Sequence, residues 1–236
     1  AYFIGFSMIA AGFISAAAVA LGFAGYFTQL VNIPFLLAAI LIIILMTLIN
    51  FVGIKETNWI NTISTFIEFA GLLLIIILGL KYFGRVDYLE MPKGITGVFS
   101  SAALVFFAYL GFESIVKLSD ETKNPEKVIP KALLYSIIIS SVVYTLVAVS
   151  AISILGWEEL SKSSAPLASV AAAALGGKAF ILLGIIALFS TSNTVLIIMV
   201  ATSRMAYGMA KEKSLPVIFS LVHKRTRTPY AAILAI

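Results

Sequence analysis

Long apolar runs separated by short polar interruptions fill this chain, and their length sets the elements. Six segments stand out, at 1–28, 33–52, 57–80, 97–119, 129–155 and 179–209, and another begins at Tyr230. Each matches or exceeds the roughly 20 residues a helix needs to cross hydrocarbon. The runs are continuous rather than alternating in ten-residue units, so they predict helices and not barrel strands. Ala1 already lies in the first run and Ile236 in the last, so both ends are expected inside transmembrane helices.

The stretches between runs are short. Val31-Asn32 alone separates the first two helices. Residues 156–178, with Trp157, Glu158, Glu159 and Pro166, read as short extracellular helices over the membrane face. Residues 117–131 and 210–229 read as cytoplasmic loops, with an interfacial helix expected at 215–221. Asn124-Pro125 is a turn signal, and Pro130 is expected near the start of the fifth helix. Small residues recur in the first helix at Gly5, Ala10, Gly12, Ala16, Ala17, Ala20 and Ala24, and they permit close helix packing.

Composition confirms the bilayer as solvent. The chain is 61% hydrophobic and 11% charged, with a mean hydropathy of +1.09, against about 25% charged in ordinary globular domains. There is no Cys and one His, which excludes thiolate chemistry and a His-rich metal cluster. His223 falls in a basic loop and reads as solvated.

The net charge of +5 is a matter of topology. With helices alternating in direction, one side receives Lys55, Lys117, Lys123, Lys127, Lys131, Arg204, Lys211, Lys213, Lys224, Arg225 and Arg227. The other receives Lys81, Arg85, Lys93, Lys162 and Lys178. The richer side is expected to be cytoplasmic. No basic patch is interleaved with aromatics, so nucleic acid is not an expected partner.

Two carboxylates break the apolar pattern inside spans: Glu68 and Glu113. A charge at membrane depth costs roughly 2.5–3.5 kcal/mol on insertion scales, so each marks a candidate site. Glu68 lies midway along its run. It could carry a proton, stay ionised and hold a cation, touch substrate, or make a structural hydrogen bond. Gly111, two residues before Glu113, is the weak point of the fourth helix. A helix broken in lipid frees backbone groups, which is tolerable only where they line a protected cavity, and those groups can bind a solute's charged ends.

The run Phe107-Ala-Tyr-Leu-Gly-Phe-Glu-Ser114, followed by Asp120-Glu-Thr-Lys-Asn-Pro-Glu-Lys-Val-Ile-Pro-Lys-Ala132, resembles the signature of amino acid permeases in the amino acid–polyamine–organocation superfamily. Gly22-Phe-Ala-Gly-Tyr-Phe27 and Thr202-Ser-Arg-Met-Ala-Tyr-Gly-Met-Ala-Lys-Glu-Lys-Ser-Leu-Pro216 extend the resemblance collinearly. It implies an all-α integral membrane protein holding part of a LeuT-like 5+5 inverted-repeat fold, namely the third to eighth helices and the start of the ninth. It implies transport of an amino acid or polyamine by alternating access, with H⁺ or Na⁺ as the possible coupling ion, no other cofactor, and the plasma membrane as location.

The same resemblance assigns site residues. The carbonyls of Phe107, Ala108 and Tyr109 would face the substrate amino group beside Gly111, and the Phe107 ring would cover the substrate. Glu113 matches a position that is often acidic, where a helix cap or a structural hydrogen bond is the alternative role. Some proton-coupled relatives carry a Lys where this chain has Glu68. Hydroxyls at Ser190, Thr191 and Ser192 would neighbour Glu68 and complete an ion-coupling site, or serve only as interhelical hydrogen bonds. An intramembrane enzyme is disfavoured, because no Cys, His or Asp lies at depth. No repeated filter motif suggests a channel. An exchanger, or a non-transporting sensor on the same fold, remains as the alternative.

Overall fold

The computed structural model describes residues 2–52, 55–111, 123–223 and 228–236. Nine α-helices and no strand occur among the described residues: α1 Tyr2–Leu30, α2 Phe35–Val52, α3 Lys55–Gly79, α4 Gly94–Val105, α5 Pro125–Leu155, α6 Trp157–Lys162, α7 Pro166–Leu175, α8 Gly177–Lys211 and α9 Tyr230–Ala235. Within this set, spans Tyr2–Leu30, Asn61–Tyr82, Pro125–Leu155 and Gly177–Lys211 are long and apolar enough to cross a membrane, and Phe35–Phe51 and Gly94–Tyr109 are shorter apolar stretches. The chain divides into two compact units, residues 1–71 with 159–236, and residues 72–158.

The first unit is organised by α1 and α8, which run antiparallel. Gly5 meets Met209, Gly12 meets Thr202 and Gly184 meets Leu30, a register that holds along both helices. Small side chains make this possible. Ala16, Ala20 and Ala24 face Val195, Leu196 and Met199, and α2 adds Ala38, Ala39, Ile42 and Met46 to the same core. Burial recurs at positions 9, 16, 20 and 24, close to the helical period. Ala17 is exposed and takes no part.

The α6–α7 pair closes one end of α1. A side chain on Gly25 would meet the Ser164 carbonyl at 2.5 Å. Gln29 Nε2 donates to Ser164 Oγ at 3.1 Å, and the Leu167 N–H donates to Tyr26 Oη at 3.4 Å. The stretch 156–178, read as short helices, holds α6 and α7. At the other end, Ile9, Ala206 and Ala232 form a second core with Leu215 and Phe219 packed against it. The helix expected at 215–221 is instead one 3₁₀ turn, Val217–Ser220. Pro216 has an extended ψ of 136° before it, and Leu221 is extended after it, so no α-helical turn can propagate.

The second unit holds the end of α3, α4 and α5. Gly79 lets the end of α3 lie against Ser150 of α5. The loop beyond is tied to α5 through Tyr88. Its hydroxyl accepts from the Gly84 N–H at 2.9 Å and donates to Ser153 Oγ at 2.7 Å, whose own proton goes to the Val149 carbonyl at 2.6 Å. Trp157 Nε1 donates to Glu90 Oε2 at 3.0 Å.

Two boundaries differ from expectation. α5 begins at Pro125, not near 129, because Asn124 adopts the left-handed conformation (φ 55°) and Pro125 takes the first helical position. Pro130 therefore sits inside the helix rather than at its start. The fourth run does not continue as one α-helix to 119, because α4 ends at Val105.

The α1–α8 seam predicts opposite responses at two glycines of α1. A Cβ on Gly12 collides with Thr202, whose hydroxyl is already held by the Ile198 carbonyl at 2.7 Å, whereas a Cβ on Gly22 meets nothing within 4 Å. Gly12→Ala is expected to lower stability by about 1–3 kcal/mol. Gly22→Ala is expected to be neutral or to gain up to about 1 kcal/mol from helix propensity. Thermal unfolding in detergent, monitored by circular dichroism, checks both.

Candidate substrate and ion sites

In the second unit the candidate site grows from a helix that stops early. After Val105 the chain tightens into a 3₁₀ turn, Phe106–Tyr109. Leu110 is then extended (ψ 139°) and Gly111 has φ 112°, which a residue with a Cβ adopts only under strain. The discontinuity anticipated at Gly111 thus starts six residues earlier, at the end of α4. The Phe107 carbonyl stays engaged, accepting the Leu110 N–H at 3.2 Å. The Ala108 carbonyl accepts the Tyr144 hydroxyl at 3.0 Å.

Tyr144 belongs to α5, as do the other walls of this region. A cavity of about 190 Å³ is bounded by Ala108, Tyr109, Leu110 and Gly111 on one side and by Ser136, Ile137, Ser140 and Tyr144 on the other. Tyr109 turns its hydroxyl to Ser141 Oγ at 3.0 Å. Its ring meets Tyr144 edge-on, with centroids 5.4 Å apart and planes at 75°. The structure therefore brings Ala108, Tyr109 and Gly111 to one cavity. Phe107 is adjacent but 40% exposed and does not line it. Glu113 lies outside the described residues.

The first unit carries the second candidate. Asn61, Ser64, Glu68 and Gly71 fall three or four residues apart on α3, on one helical face. That face meets α8. Asn193 Nδ2 donates to Asn61 Oδ1 at 2.9 Å, and a Cβ on Gly71 would lie 2.9 Å from Ile186. Between these two contacts the Asn193 amide and the Ser190 hydroxyl lie beside the Glu68 carboxyl. Glu68 Oε1 and Asn193 Oδ1 are buried and accept no hydrogen bond.

A cavity of about 280 Å³ adjoins this cluster, lined by Ser64, Ser192 and Asn193 among apolar Met46, Ile49, Leu188, Phe189 and Leu196. The three expected hydroxyls thus separate. Ser190 faces Glu68, and Ser192 lines the cavity. Thr191 turns back on its own helix to the Ala187 carbonyl at 2.7 Å. No cluster of three or more His, Cys, Asp or Glu residues occurs among the described residues.

Asn61, Ser64, Asn193 and Tyr144 were not anticipated as site residues. Asn61 and Ser64 carry a signal in hindsight, since polar residues at helical spacing from Glu68 mark a polar stripe, and Asn193 lies one turn from Ser190 on α8. Tyr144 carries none.

The amino acid permease family model matches residues 1–236. The chain belongs to that family. It is an integral membrane chain, 27% identical to the branched-chain amino acid permease BcaP of Bacillus subtilis over 98% of this chain and 55% of that protein. It is 30% identical to the methylthioribose transporter of the same organism, over 98% of this chain and 54% of that protein. It is 31% identical to the vacuolar cationic amino acid transporter 8 of Arabidopsis thaliana, over 83% of this chain and 33% of that protein. The chain spans about half the length of the two bacterial relatives. All three are permeases or transporters by name, not enzymes.

The Asn61–Asn193 pair yields a thermodynamic prediction. Asn61→Leu removes an acceptor from the buried Asn193 amide and is expected to cost about 1–3 kcal/mol. Asn61→Leu combined with Asn193→Leu removes both partners and is expected to cost less than the sum of the single changes. Unfolding midpoints of the two single variants and the double variant in detergent check this.

Proposed function

We propose that this chain forms the central part of a secondary active amino acid transporter that works by alternating access. The supporting observation is the broken segment 105–111, which presents backbone to a small polar cavity rather than to a continuous helix. Carbonyls released from a helix are acceptors for an α-ammonium group, which matches the amino acids named for two of the three relatives. Phe107, Ala108, Tyr109, Gly111 and Glu113 are the proposed substrate residues. The surrounding architecture is taken to be the LeuT-like inverted repeat, and the membrane the plasma membrane.

Coupling is assigned to Glu68 with Ser190, Thr191 and Ser192, and the coupling ion to H⁺. A carboxyl flanked by one amide and one hydroxyl has few oxygen neighbours for Na⁺. A proton requires only the carboxyl and one acceptor. Exchange of one solute for another on the same site is the second mode. The 30% identity to a methylthioribose transporter argues for including a solute without an amino group in any substrate screen.

The test is uptake by the full-length transporter in proteoliposomes under an inward proton gradient, with labelled amino acids, polyamines and methylthioribose. Gradient-driven uptake is expected for at least one amino acid, and it should fall at least tenfold in Glu68→Gln. Equal uptake by wild type and variant would make Glu68 structural. Binding without flux would assign a sensor role.

A further inference from the structure

No counter-ion for Glu68 comes from the middle of the helices that meet around it. Residues 61–79 of α3, Phe35–Val52 of α2 and residues 179–203 of α8 hold no other charged or titratable side chain. Lys178 and Arg204 are the nearest cations along α8, and each is three or more helical turns from Asn193. The polar neighbours of Glu68 are instead the Asn193 amide and the Ser190 hydroxyl. Asn193 is only 7% exposed. Its Nδ2 donates to Asn61 Oδ1 at 2.9 Å, but its Oδ1 receives no donor, and neither does Glu68 Oε1. A buried acceptor left unpaired costs about 1–3 kcal/mol. Two of them on neighbouring side chains call for an explanation.

A proton on Glu68 provides one. An ionised carboxyl only accepts, and the N–H end of an amide suits it. A carboxylic acid has one O–H to give and needs an acceptor, and the idle acceptor on the neighbouring side chain is Asn193 Oδ1. The terminal torsion of Asn is broad and roughly two-fold. Asn193 also borders the cavity of about 280 Å³, which leaves its amide room to turn. One side chain thus suits both forms of the carboxyl.

We propose that Asn193 is a positioning residue for proton coupling: its Nδ2 donates to the ionised Glu68 carboxyl, and its Oδ1 accepts from the protonated one. The proposal rests on the coupling role given to Glu68 above. The proton passes from water to a carboxyl oxygen of Glu68 and later leaves from it. Asn193 keeps both amide protons throughout and changes only which end faces the carboxyl. Without that amide the ionised form loses a donor and the protonated form loses an acceptor.

The experiment uses the full-length transporter in proteoliposomes, with labelled L-leucine and L-arginine as probes. Two rates are measured: uptake driven by an inward proton gradient, and exchange of labelled for unlabelled solute at equal pH on both sides. Their ratio reports coupling, because a merely structural defect lowers both rates in proportion. The ratio is expected to fall at least about fivefold in Asn193→Leu, the factor set by one net hydrogen bond. Adding Asn193→Leu to Glu68→Gln should lower it no further, since the first residue acts through the second. Asn61→Leu breaks the same α3–α8 contact without touching Glu68, and its loss should be less than about twofold.

An unchanged ratio in Asn193→Leu would overturn the proposal and leave the coupling role of Glu68 standing. So would a further fall in the double variant, or an equal loss in Asn61→Leu, which would assign the effect to the helix contact. An unchanged ratio in Glu68→Gln would remove the coupling role itself, and the proposal with it. Should Asn193→Leu not elute as a folded species, Asn193→Asp keeps the shape. Two neighbouring carboxyls hold one proton more tightly than one, so the midpoint of the pH dependence of uptake should rise by about one unit or more. A midpoint that stays at the wild-type value would overturn the proposal.

Discussion

A polypeptide in hydrocarbon has no water to satisfy its backbone, and each orphaned N–H or C=O there costs several kcal/mol. That constraint explains why this chain is helical almost throughout its described residues. It also explains why a place in an apolar run where the helix fails, from Val105 to Gly111, is informative. The failure is compensated locally. The Phe107 carbonyl closes a 3₁₀-type turn on Leu110, the Ala108 carbonyl is met by Tyr144, and Gly111 takes the backbone angle that other residues resist. Such a break can be held open for a ligand because the protein supplies the partners that lipid cannot.

The first unit obeys the same constraint with different means. Lipid gives helices no hydrophobic reason to associate, so contact comes from close packing of small residues and from buried polar pairs. Along α1 and α8 the small residues do this work, with Gly12 fitted under Thr202 and Ala20 and Ala24 fully buried. Along α3 the polar pairs do it, with Asn61 on Asn193 and Glu68 beside Asn193 and Ser190. Glu68 is thus placed by a stripe of residues on its own helix face, bounded by Asn61 at one end and Gly71 at the other.

Much of the fold was legible because run length and helical period are strong signals in a membrane chain. The helices at 2–30, 35–52 and 177–211 lie within two residues of their expected starts and ends. The misreadings share a cause. Asn124-Pro125 read as a turn and Pro130 as lying near the helix start, whereas the left-handed Asn124 puts Pro125 at the first helical position. Residues 215–221 are apolar enough for a helix, yet the backbone angles at Pro216 and Leu221 limit it to one turn. At the candidate sites, residue identity marked the exceptional groups, Glu68 and Gly111, but not their partners. Tyr144 lies 33 residues beyond Gly111, and nothing local distinguishes it from an ordinary aromatic of a membrane helix. Thr191 was expected beside Glu68, and what its position did not reveal is that its hydroxyl donates to the Ala187 carbonyl of its own helix.

On the proposed function, segment 105–111 is a compensated break whose backbone is exchanged between internal partners and a bound solute. Amide hydrogen–deuterium exchange of the full-length transporter, with and without a transported amino acid, tests it most directly. Amides 106–111 should exchange faster than those in the middle of α5 and α8 when the solute is absent, and should slow markedly when it is bound. Exchange as slow as that of an unbroken helix, unchanged by any transported solute, would contradict the account.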